Sequence, residues 1–277
     1  HLVDICKKCN IALDDETMSL KEKIKQFLVA VQLESSEHHF GFPDVIIPEF
    51  YRSGGHTLCK ALKQHPVIEF AQAQGGNLNY FCNEKYSVSR WAIRSVTDMK
   101  VLPYINYAGR NKWYISNFQK TGNVWVDYVD GAFGRGWKTT INRIKETIEL
   151  RYKEMKTPKF VMVLRDPIAR AHSEYMMFLK RFPGSYNWSW MCPGRSFHDN
   201  IHAELEYIDN HPEAIEDDEL MHGRLLLNGM YVNQLKHLQT CLDLPASHVK
   251  VVIFEQLIQN PHEQLNQLYD YMGVDRK

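Results

Sequence analysis

Short apolar runs alternate with segments of helical periodicity along most of the chain. Five runs are predicted to be strands, at residues 44–47, 67–70, 124–129, 160–164 and 249–254. Continuous apolar runs of this length are typical of strands that are buried on both faces of a parallel sheet. Their alternation with helices predicts an α/β fold, a three-layer sandwich with a central parallel sheet and helices on both faces.

Apolar residues at helical spacing predict the helices that lie before, between and after these strands. They cover residues 19–33, 140–155, 168–181, 198–211, 225–242 and 261–272. The first helix precedes the alternation of strands and helices. We therefore divide the chain into an N-terminal extension with one packing helix, residues 1–40, and a single α/β domain, residues 41–277.

The run at residues 160–164 stops abruptly at Arg165, Asp166 and Pro167. Asp166 can cap the next helix through its side-chain oxygen, and Pro167 suits the first helical turn. Open α/β sheets bind ligands at the carboxyl ends of their strands. Arg165 is therefore predicted to lie at the edge of a ligand site, where Ser173, two helical turns later, can reach the same anion. The alternative is an ordinary strand and helix with a solvated arginine.

A glycine-bearing turn follows the strand at residues 44–47. Residues 52–57 read RSGGHT and lead into a helix. Glycines let the backbone approach an anion, and the first amides of a helix point at it. This order predicts a phosphate-binding loop, with Arg52 as a cation and with His56 and Thr57 as side-chain donors. The G-x-x-x-x-G-K-[ST] spacing of nucleotide triphosphatases is absent.

Composition limits the choice of partners. The chain has 33 Lys and Arg residues against 33 Asp and Glu residues, so its formal net charge at pH 7 is zero. Bulk charge therefore supplies no long-range attraction to a polyanion, and we expect no nucleic-acid partner. No apolar run approaches bilayer-spanning length, so we expect no membrane contact from these residues. Because His1 is not a natural start, a signal or anchor is expected in a segment before it.

Six cysteines leave the redox compartment open. Cys6 and Cys9 have the C-x-x-C spacing, but without a second pair a disulfide or unpaired thiols are favoured over a metal site. Cys59 lies within a predicted helix and is interpreted as a small core residue. Cys192 and Cys241 lie in or beside predicted loops and could form a disulfide of the kind found in secretory-pathway enzymes.

Four segments of the chain carry a family resemblance. Residues 164–175 read LRDPIARAHSEY, residues 46–66 contain the RSGGHT loop and end in QHP, residues 224–231 read RLLLNGMY, and residues 254–274 begin with FEQL and end in YMGV. In these segments the chain resembles the sulfotransferases that use 3′-phosphoadenosine 5′-phosphosulfate (PAPS). The resemblance is to their lumenal carbohydrate branch, which includes the N-acetylgalactosamine 4-sulfate 6-O-sulfotransferases and the heparan sulfate enzymes.

The resemblance implies a P-loop-like α/β fold and the transfer of a sulfuryl group from PAPS to an acceptor hydroxyl, with 3′-phosphoadenosine 5′-phosphate (PAP) as product. It implies that Arg165 and Ser173 hold the 3′-phosphate by charge-assisted hydrogen bonds, with Tyr231 as a third donor. The 5′-phosphosulfate would be bound by Ser53, Gly54, Gly55, His56 and Thr57.

The chain departs from the family at its catalytic positions. Arg52 takes the place of the catalytic lysine and keeps the positive charge, but it does not readily give up a proton. Gly55 and His56 stand where the family has two threonines, and Asn77 stands where several members have a glutamate base. His56 is the first candidate for the missing base, with donation to the anion as its alternative role. Asp127 is the second candidate, with a structural cap as its alternative role.

Three functions are open. The first is an active PAPS-dependent sulfotransferase that acts on a hydroxyl of a carbohydrate, in the Golgi lumen or elsewhere in the secretory pathway. The second is a catalytically impaired relative that binds the nucleotide or a sulfated glycan. The third, a kinase-like phosphotransferase, lacks the lysine-bearing loop and a recognisable magnesium site. Sulfuryl transfer implies no metal where arginines and amides hold the charge.

Overall fold

The computed structural model describes residues 42–71, 81, 114, 118, 122–129, 132–134, 136–151, 157–181, 196–217 and 225–276. The chain divides into two compact units, His1–Phe42 with Val88–Gly122 and Pro43–Ser87 with Asn123–Lys277. In the first unit, the Tyr114 ring meets the rings of Phe42 and Phe118 edge to face. The predicted helix at residues 19–33 lies outside the described residues, and the predicted domain boundary at residue 40 stays a prediction.

Five parallel strands form the sheet of the second unit. They are β1 (Val45–Pro48), β2 (Ile68–Phe70), β3 (Val124–Val129), β4 (Lys159–Leu164) and β5 (Val249–Ile253). Their order across the sheet is β2-β3-β1-β4-β5, and each neighbouring pair is parallel. The strands predicted from the apolar runs and the parallel sheet are therefore confirmed.

Helices cover both faces of this sheet. Those whose ends the structure describes are α1 (Gly55–Leu62), α2 (Trp137–Arg151), α3 (Pro167–Arg181), α4 (Phe197–Asn210), α5 (Tyr231–Cys241), α6 (Phe254–Gln259) and α7 (Pro261–Met272). Short 3₁₀ turns lie at Pro212–Ile215, Leu227–Gly229 and Ala246–His248. Within the described part of the chain, no helix has both the length and the apolar character needed to cross a membrane.

The core sits on both sides of the sheet because successive strand residues point to opposite faces. One face packs against α1, α6 and α7, through a buried cluster that includes Val45, Ile47, Val161, Val163, Leu58, Leu62, Leu257 and Leu268. On the opposite face, the alternate strand residues Ile46, Phe160 and Met162 are fully buried as well. The predicted three-layer arrangement follows from this two-sided burial.

The last strand is less buried than its sequence predicts. β5 lies at the edge of the sheet, where it pairs only with β4 among the described strands. Val251 and Ile253 are 40% and 37% exposed. The prediction of a strand buried on both faces was therefore wrong, because an apolar run does not reveal whether its strand is central or at an edge.

The helix predicted over residues 225–242 is interrupted. A 3₁₀ turn ends at Gly229, Met230 has non-helical dihedral angles (φ −84°, ψ 59°), and α5 begins only at Tyr231. The carboxylate of Glu204 on α4 accepts hydrogen bonds from the backbone N–H groups of Leu226 at 3.0 Å and Leu227 at 3.1 Å. The carboxylate therefore binds the first amides of a separate 3₁₀ turn. Because Glu204 is distant in the sequence, the local apolar spacing does not predict this turn.

The described cysteines are reduced. Cys59 is a buried core residue, as predicted, and burial raises the pKa of its thiol. Cys241 has a free thiol that donates to the Oδ1 of Asn142 at 3.3 Å. The structure therefore gives no support to the predicted bridge between Cys241 and Cys192, and the latter lies outside the described residues together with Cys6 and Cys9.

Candidate functional site

The order of the strands brings the two predicted ligand segments to one place. β1 is the central strand, and its neighbours β3 and β4 both come much later in the chain. In open α/β sheets, ligands bind beyond the carboxyl ends of the strands where the strand order reverses. Residues 52–57 follow β1 and Arg165 follows β4, and these two strands pair in parallel. Both segments therefore lie at the same edge of the sheet.

The loop after β1 has a backbone that only particular residues adopt. Arg52 has φ 62° and Gly54 has φ 106°, both in the left-handed region. A Cβ at Gly54 would lie 2.1 Å from the Cδ2 of Phe254, so the loop needs glycine here. The N–H groups of Thr57 and Leu58 donate to the Gly54 carbonyl. The amides before them in the first turn of α1 are those that a helix leaves for an anion.

Ser53 has a structural part in this turn. Its side chain is fully buried, and its hydroxyl donates to the carbonyl of Phe50 at 2.8 Å. Its backbone N–H donates to the same carbonyl at 3.1 Å. Both bonds hold the turn closed, and the predicted contact of Ser53 with a phosphosulfate stays a prediction.

Two arginines and a serine meet at the start of α3. The Nε of Arg52 donates to the hydroxyl of Ser173 at 3.1 Å. The Nη1 of Arg165 donates to the carbonyl of Arg52 at 3.3 Å, and its guanidinium lies over the ring of Phe254, 5.0 Å from the centroid. These residues come from distant parts of the sequence, and together they form a cationic cluster with a hydroxyl.

The start of α3 is built as the sequence predicts. Pro167 is its first residue, and the Oδ1 of Asp166 accepts a hydrogen bond from the N–H of Ala169 at 2.7 Å. A side chain that bonds the third amide of a helix is a normal N-terminal cap. This cap fixes the direction in which the chain leaves β4, and with it the position of Arg165.

Tyr231 lies beside Arg165. Its hydroxyl donates to the Arg165 carbonyl at 2.9 Å, and its ring packs edge to face on Phe50. Burial raises the pKa of Tyr231, which keeps the hydroxyl a neutral donor. The structure thus joins Tyr231 to the cationic cluster, whereas its direct bond to a 3′-phosphate stays a prediction.

A buried ion pair supports the segment that carries Arg52. Arg170 is fully buried and donates to the carboxylate of Glu174, to the carbonyl of Tyr51 and to the carbonyl of Leu225. Glu174 also accepts a hydrogen bond from the Nδ2 of Asn228 at 3.2 Å. Burial raises the pKa of Glu174, and the charge of Arg170 opposes this rise. The pair ties the loop after β1, α3 and the Leu227–Gly229 turn to one another.

His56 lies against β3. Its Nδ1 is 2.8 Å from the hydroxyl of Tyr128 and 3.5 Å from a carboxylate oxygen of Glu49. The side chain of His56 is 63% exposed, whereas that of Glu49 is only 7% exposed. Sequence reasoning missed Glu49 and Tyr128. The available signal was an acidic residue directly after an apolar strand, where the chain is still buried.

The other candidates for a base differ in position. Asp127 is 1% exposed, which argues against its reaching an acceptor hydroxyl. Asn77 lies outside the described residues, as does Arg224.

The described residues contain no group of three or more side chains suited to hold a metal ion.

The fold and this edge of the sheet define a P-loop-like α/β protein with a cationic site after β1 and β4. No protein-family model and no curated protein matches the sequence. Solved structures do match. A sulfotransferase from Alicyclobacillus acidocaldarius superposes with a TM-score of 0.54 and 19% identity, over 86% of this chain and 83% of that one. This similarity confirms the predicted fold class.

Two further matches are weaker. The sulfotransferase domain of the Synechococcus PCC 7002 olefin synthase gives a TM-score of 0.47 at 14% identity, over 87% of this chain and 76% of that one. Mouse sulfotransferase SULT7A1 complexed with PAP gives 0.45 at 10% identity, over 88% of this chain and 64% of that one.

Proposed function

We propose that the chain is a PAPS-dependent sulfotransferase that transfers a sulfuryl group to an acceptor hydroxyl. The observation that carries the proposal is the meeting of Arg52, Arg165 and Ser173 beside the first turn of α1. A nucleotide with phosphate groups at both ends needs two sets of donors, and the cationic cluster and the loop amides are two such sets. The fold shared with a sulfotransferase supports the same reading.

The cationic cluster fits a 3′-phosphate. The Nε of Arg165 is buried and has no hydrogen-bond partner within the described part of the chain. A buried guanidinium donor without a partner loses free energy unless an anion or water completes it. Arg165 and Ser173 would both donate hydrogen bonds to a bound phosphate. Tyr231 holds the Arg165 backbone in place.

The loop fits the 5′-phosphosulfate end. Gly54 lets the backbone pass against Phe254, and the first amides of α1 follow directly. PAPS supplies the sulfuryl group when it is bound, and PAP leaves with the bonding electron pair. The guanidinium of Arg52 would stabilise the negative charge that develops on the leaving phosphate. His56, whose side chain is largely exposed, would accept the proton of the acceptor hydroxyl.

We assign the acceptor to the carbohydrate class, and the protein to the Golgi lumen or the wider secretory pathway. Both assignments rest on the resemblance of residues 46–66 and 164–175 to the lumenal carbohydrate sulfotransferases. The assignment of the acceptor is tested by the choice of acceptors in the assay described below.

A second candidate function is nucleotide binding without efficient transfer. Arg52 favours it, because a guanidinium stabilises charge but does not donate a proton to the leaving group as lysine can. In this case the cationic cluster binds PAPS or PAP, and turnover is slow or absent.

Calorimetric titration with PAP tests the cofactor assignment. Wild-type protein should bind PAP, and Arg165→Ala should weaken binding about tenfold or more, because hydrogen bonds to charged groups contribute about 1.5–3 kcal/mol. Arg276→Ala is the matched control, since this exposed arginine pairs with Asp270 on α7 and, within the described part of the chain, does not contact the site. A wild-type protein that does not bind PAP would overturn the proposal.

A transfer assay separates the two candidate functions. Labelled sulfate from PAPS is offered to glycans, tyrosine peptides and small alcohols. Transfer to glycans supports the active carbohydrate sulfotransferase, and transfer only to peptides or small alcohols contradicts the carbohydrate assignment. PAP binding without transfer to any of these acceptors favours the second candidate.

A further inference from the structure

One ring nitrogen of His56 lies against two side chains. Nδ1 points toward the protein, 2.8 Å from the hydroxyl of Tyr128 and 3.5 Å from Glu49. The ring meets the Tyr128 ring edge to face, with centroids 4.9 Å apart and an interplanar angle of 78°. The protein therefore holds the ring from its Nδ1 side, while most of the side chain remains exposed.

Gly55 makes this contact possible. A Cβ at Gly55 would lie 2.9 Å from the Cε2 of Tyr128, 3.2 Å from its hydroxyl oxygen and 3.4 Å from the Cγ of Glu49. The first of these distances is shorter than real Cβ contacts, so a larger residue would push the loop outward. Gly55 and His56 thus work together, because the missing side chain at one position brings the imidazole at the next against Tyr128 and Glu49.

Two backbone hydrogen bonds hold the main chain of Glu49 in place. Its backbone N–H donates to the carbonyl of Val129 at 3.0 Å, and its carbonyl accepts from the N–H of Phe133 at 3.1 Å. An ionised carboxylate can only accept hydrogen bonds, whereas a tyrosine hydroxyl can accept or donate. A proton on Nδ1 suits both groups, and a lone pair on Nδ1 would face the carboxylate charge.

We infer that Glu49, with Tyr128, is a positioning residue that keeps the proton of neutral His56 on Nδ1 and leaves Nε2 to act as the base. The inference rests on the proposed sulfuryl transfer. The acceptor oxygen forms its bond to sulfur as the bond from sulfur to the 5′-phosphate oxygen breaks, and the electron pair leaves with PAP. The hydroxyl proton moves to Nε2, and the Glu49 carboxylate stabilises the resulting imidazolium.

Nitrogen NMR of histidine-labelled protein tests this inference without any nucleotide. The ¹⁵N shifts of a neutral imidazole distinguish the Nδ1–H tautomer from the Nε2–H tautomer, and His56→Gln assigns the signals of His56. Wild type should show Nδ1–H. Glu49→Gln should lose this preference, because an amide can donate to Nδ1 as well as accept from it. An Nε2–H tautomer in wild type would overturn the inference.

Control variants separate orientation from general loss of structure. Glu204→Gln changes an equally buried carboxylate that bonds the amides of Leu226 and Leu227, and it should leave the His56 tautomer unchanged. Glu49→Asp keeps the carboxylate and should retain the Nδ1–H form. This variant also provides a test if Glu49→Gln fails to fold. An unaltered tautomer in a folded Glu49→Gln protein would also contradict the inference.

Kinetics give the second readout once an acceptor is found. Glu49→Gln should lower kcat about tenfold or more, since general base catalysis contributes about 10²–10⁴-fold and misorientation forfeits part of it. The KM for PAPS and the Kd for PAP should change little, because the Glu49 carboxylate faces the imidazole of His56, at 3.5 Å. Unchanged kcat in Glu49→Gln contradicts the positioning role. Failure of wild type to bind PAP contradicts the proposed function. The tautomer of His56 is measured without nucleotide, so the inference about Glu49 is tested separately.

Discussion

The Nε of Arg52 donates to the hydroxyl of Ser173 across 3.1 Å, although 121 positions separate the two residues in the chain. The bond joins the loop after β1 to the second turn of α3. Both groups can bind an anion, so this bond brings the two halves of the proposed site together. Substitution of Ser173 should therefore affect binding far more than folding.

Ser173→Ala should raise the Kd for PAP about tenfold, because a hydrogen bond to a charged phosphate is lost. The free energy of unfolding should change by less than about 1 kcal/mol, since the Arg52–Ser173 bond is exposed. Ser196→Ala is an informative control. Ser196 caps α4 through the N–H of Asp199, so its loss should cost about 1 kcal/mol of stability and leave the Kd unchanged. Equal effects of both variants on the Kd would contradict the assignment of Ser173.

Gly54→Ala should destabilise the protein more than Gly273→Ala. Both glycines have positive φ, 106° and 80°, so both substitutions strain the backbone by about 1–2 kcal/mol. Only at Gly54 does the new Cβ meet a side chain, Phe254 at 2.1 Å, whereas nothing lies within 4 Å at Gly273. Urea denaturation measures the difference. The double variant Gly54→Ala, Phe254→Ala should recover part of the stability that Gly54→Ala loses through the clash of its Cβ with the Phe254 ring. If the double variant recovers none, this explanation is contradicted.

Arg52→Gly should separate stability from function. Arg52 and Asp243 are the described non-glycine residues with positive φ, 62° and 48°. Glycine at either position should remove backbone strain and raise the free energy of unfolding by up to about 1 kcal/mol. Arg52→Gly should also weaken PAP binding and abolish transfer, because the cation is lost. Asp243→Gly should show the stabilisation alone, and weakened PAP binding in this control would point to an indirect effect.

Arg170→Met should be strongly destabilising, by about 3–5 kcal/mol, because Glu174 is then left buried without its cation. Denaturation in urea near neutral pH measures the loss. The double variant Arg170→Met, Glu174→Leu removes both charges and should recover a large part of it. If the double variant is no more stable than Arg170→Met, the ion pair is not the source of the loss.

Tyr271 should contribute to stability in an alkaline-sensitive way. Burial raises its pKa from 10.0 to about 12, and its hydroxyl donates a hydrogen bond to the carbonyl of Phe160 at 3.2 Å. Folding therefore favours the neutral phenol, so this contribution is complete below pH 10 and is lost as the pH rises toward 12. Tyr271→Phe should show a shallower fall of unfolding free energy over that range than wild type. Parallel pH profiles would contradict this prediction.

Features that depend on neighbouring residues were predictable from the sequence. The strand at residues 160–164, its Asp166 cap and the helix start at Pro167 all follow from one local pattern, and the structure confirms them. The loop at residues 52–57 was recognised in the same way, because glycine, cation and helix start lie next to one another.

Features that depend on distant residues were not predictable. Tyr128 reaches His56 across 72 positions, and Glu204 bonds the amide of Leu226 across 22. The bond of Arg170 to Tyr51 spans 119 positions. None of these pairings changes the local spacing of apolar residues, so they cannot be predicted from the periodicity of the sequence. The interrupted helix before Tyr231 and the role of Glu49 both belong to this class.

The place of β1 in the sheet has a consequence for synthesis. β1 lies between β3 and β4, and Val45 is paired with Val126 on one side and Lys159 on the other. A nascent chain therefore carries its central strand without β3 until residue 129 has been made, and without β4 until residue 164 has been made. Pairings between such distant segments form slowly, because long loops must close first. We expect chains truncated before β4 to expose the edge of β1 that pairs with β4 and to depend on chaperones. Arg52 and Arg165 should come together only late in folding.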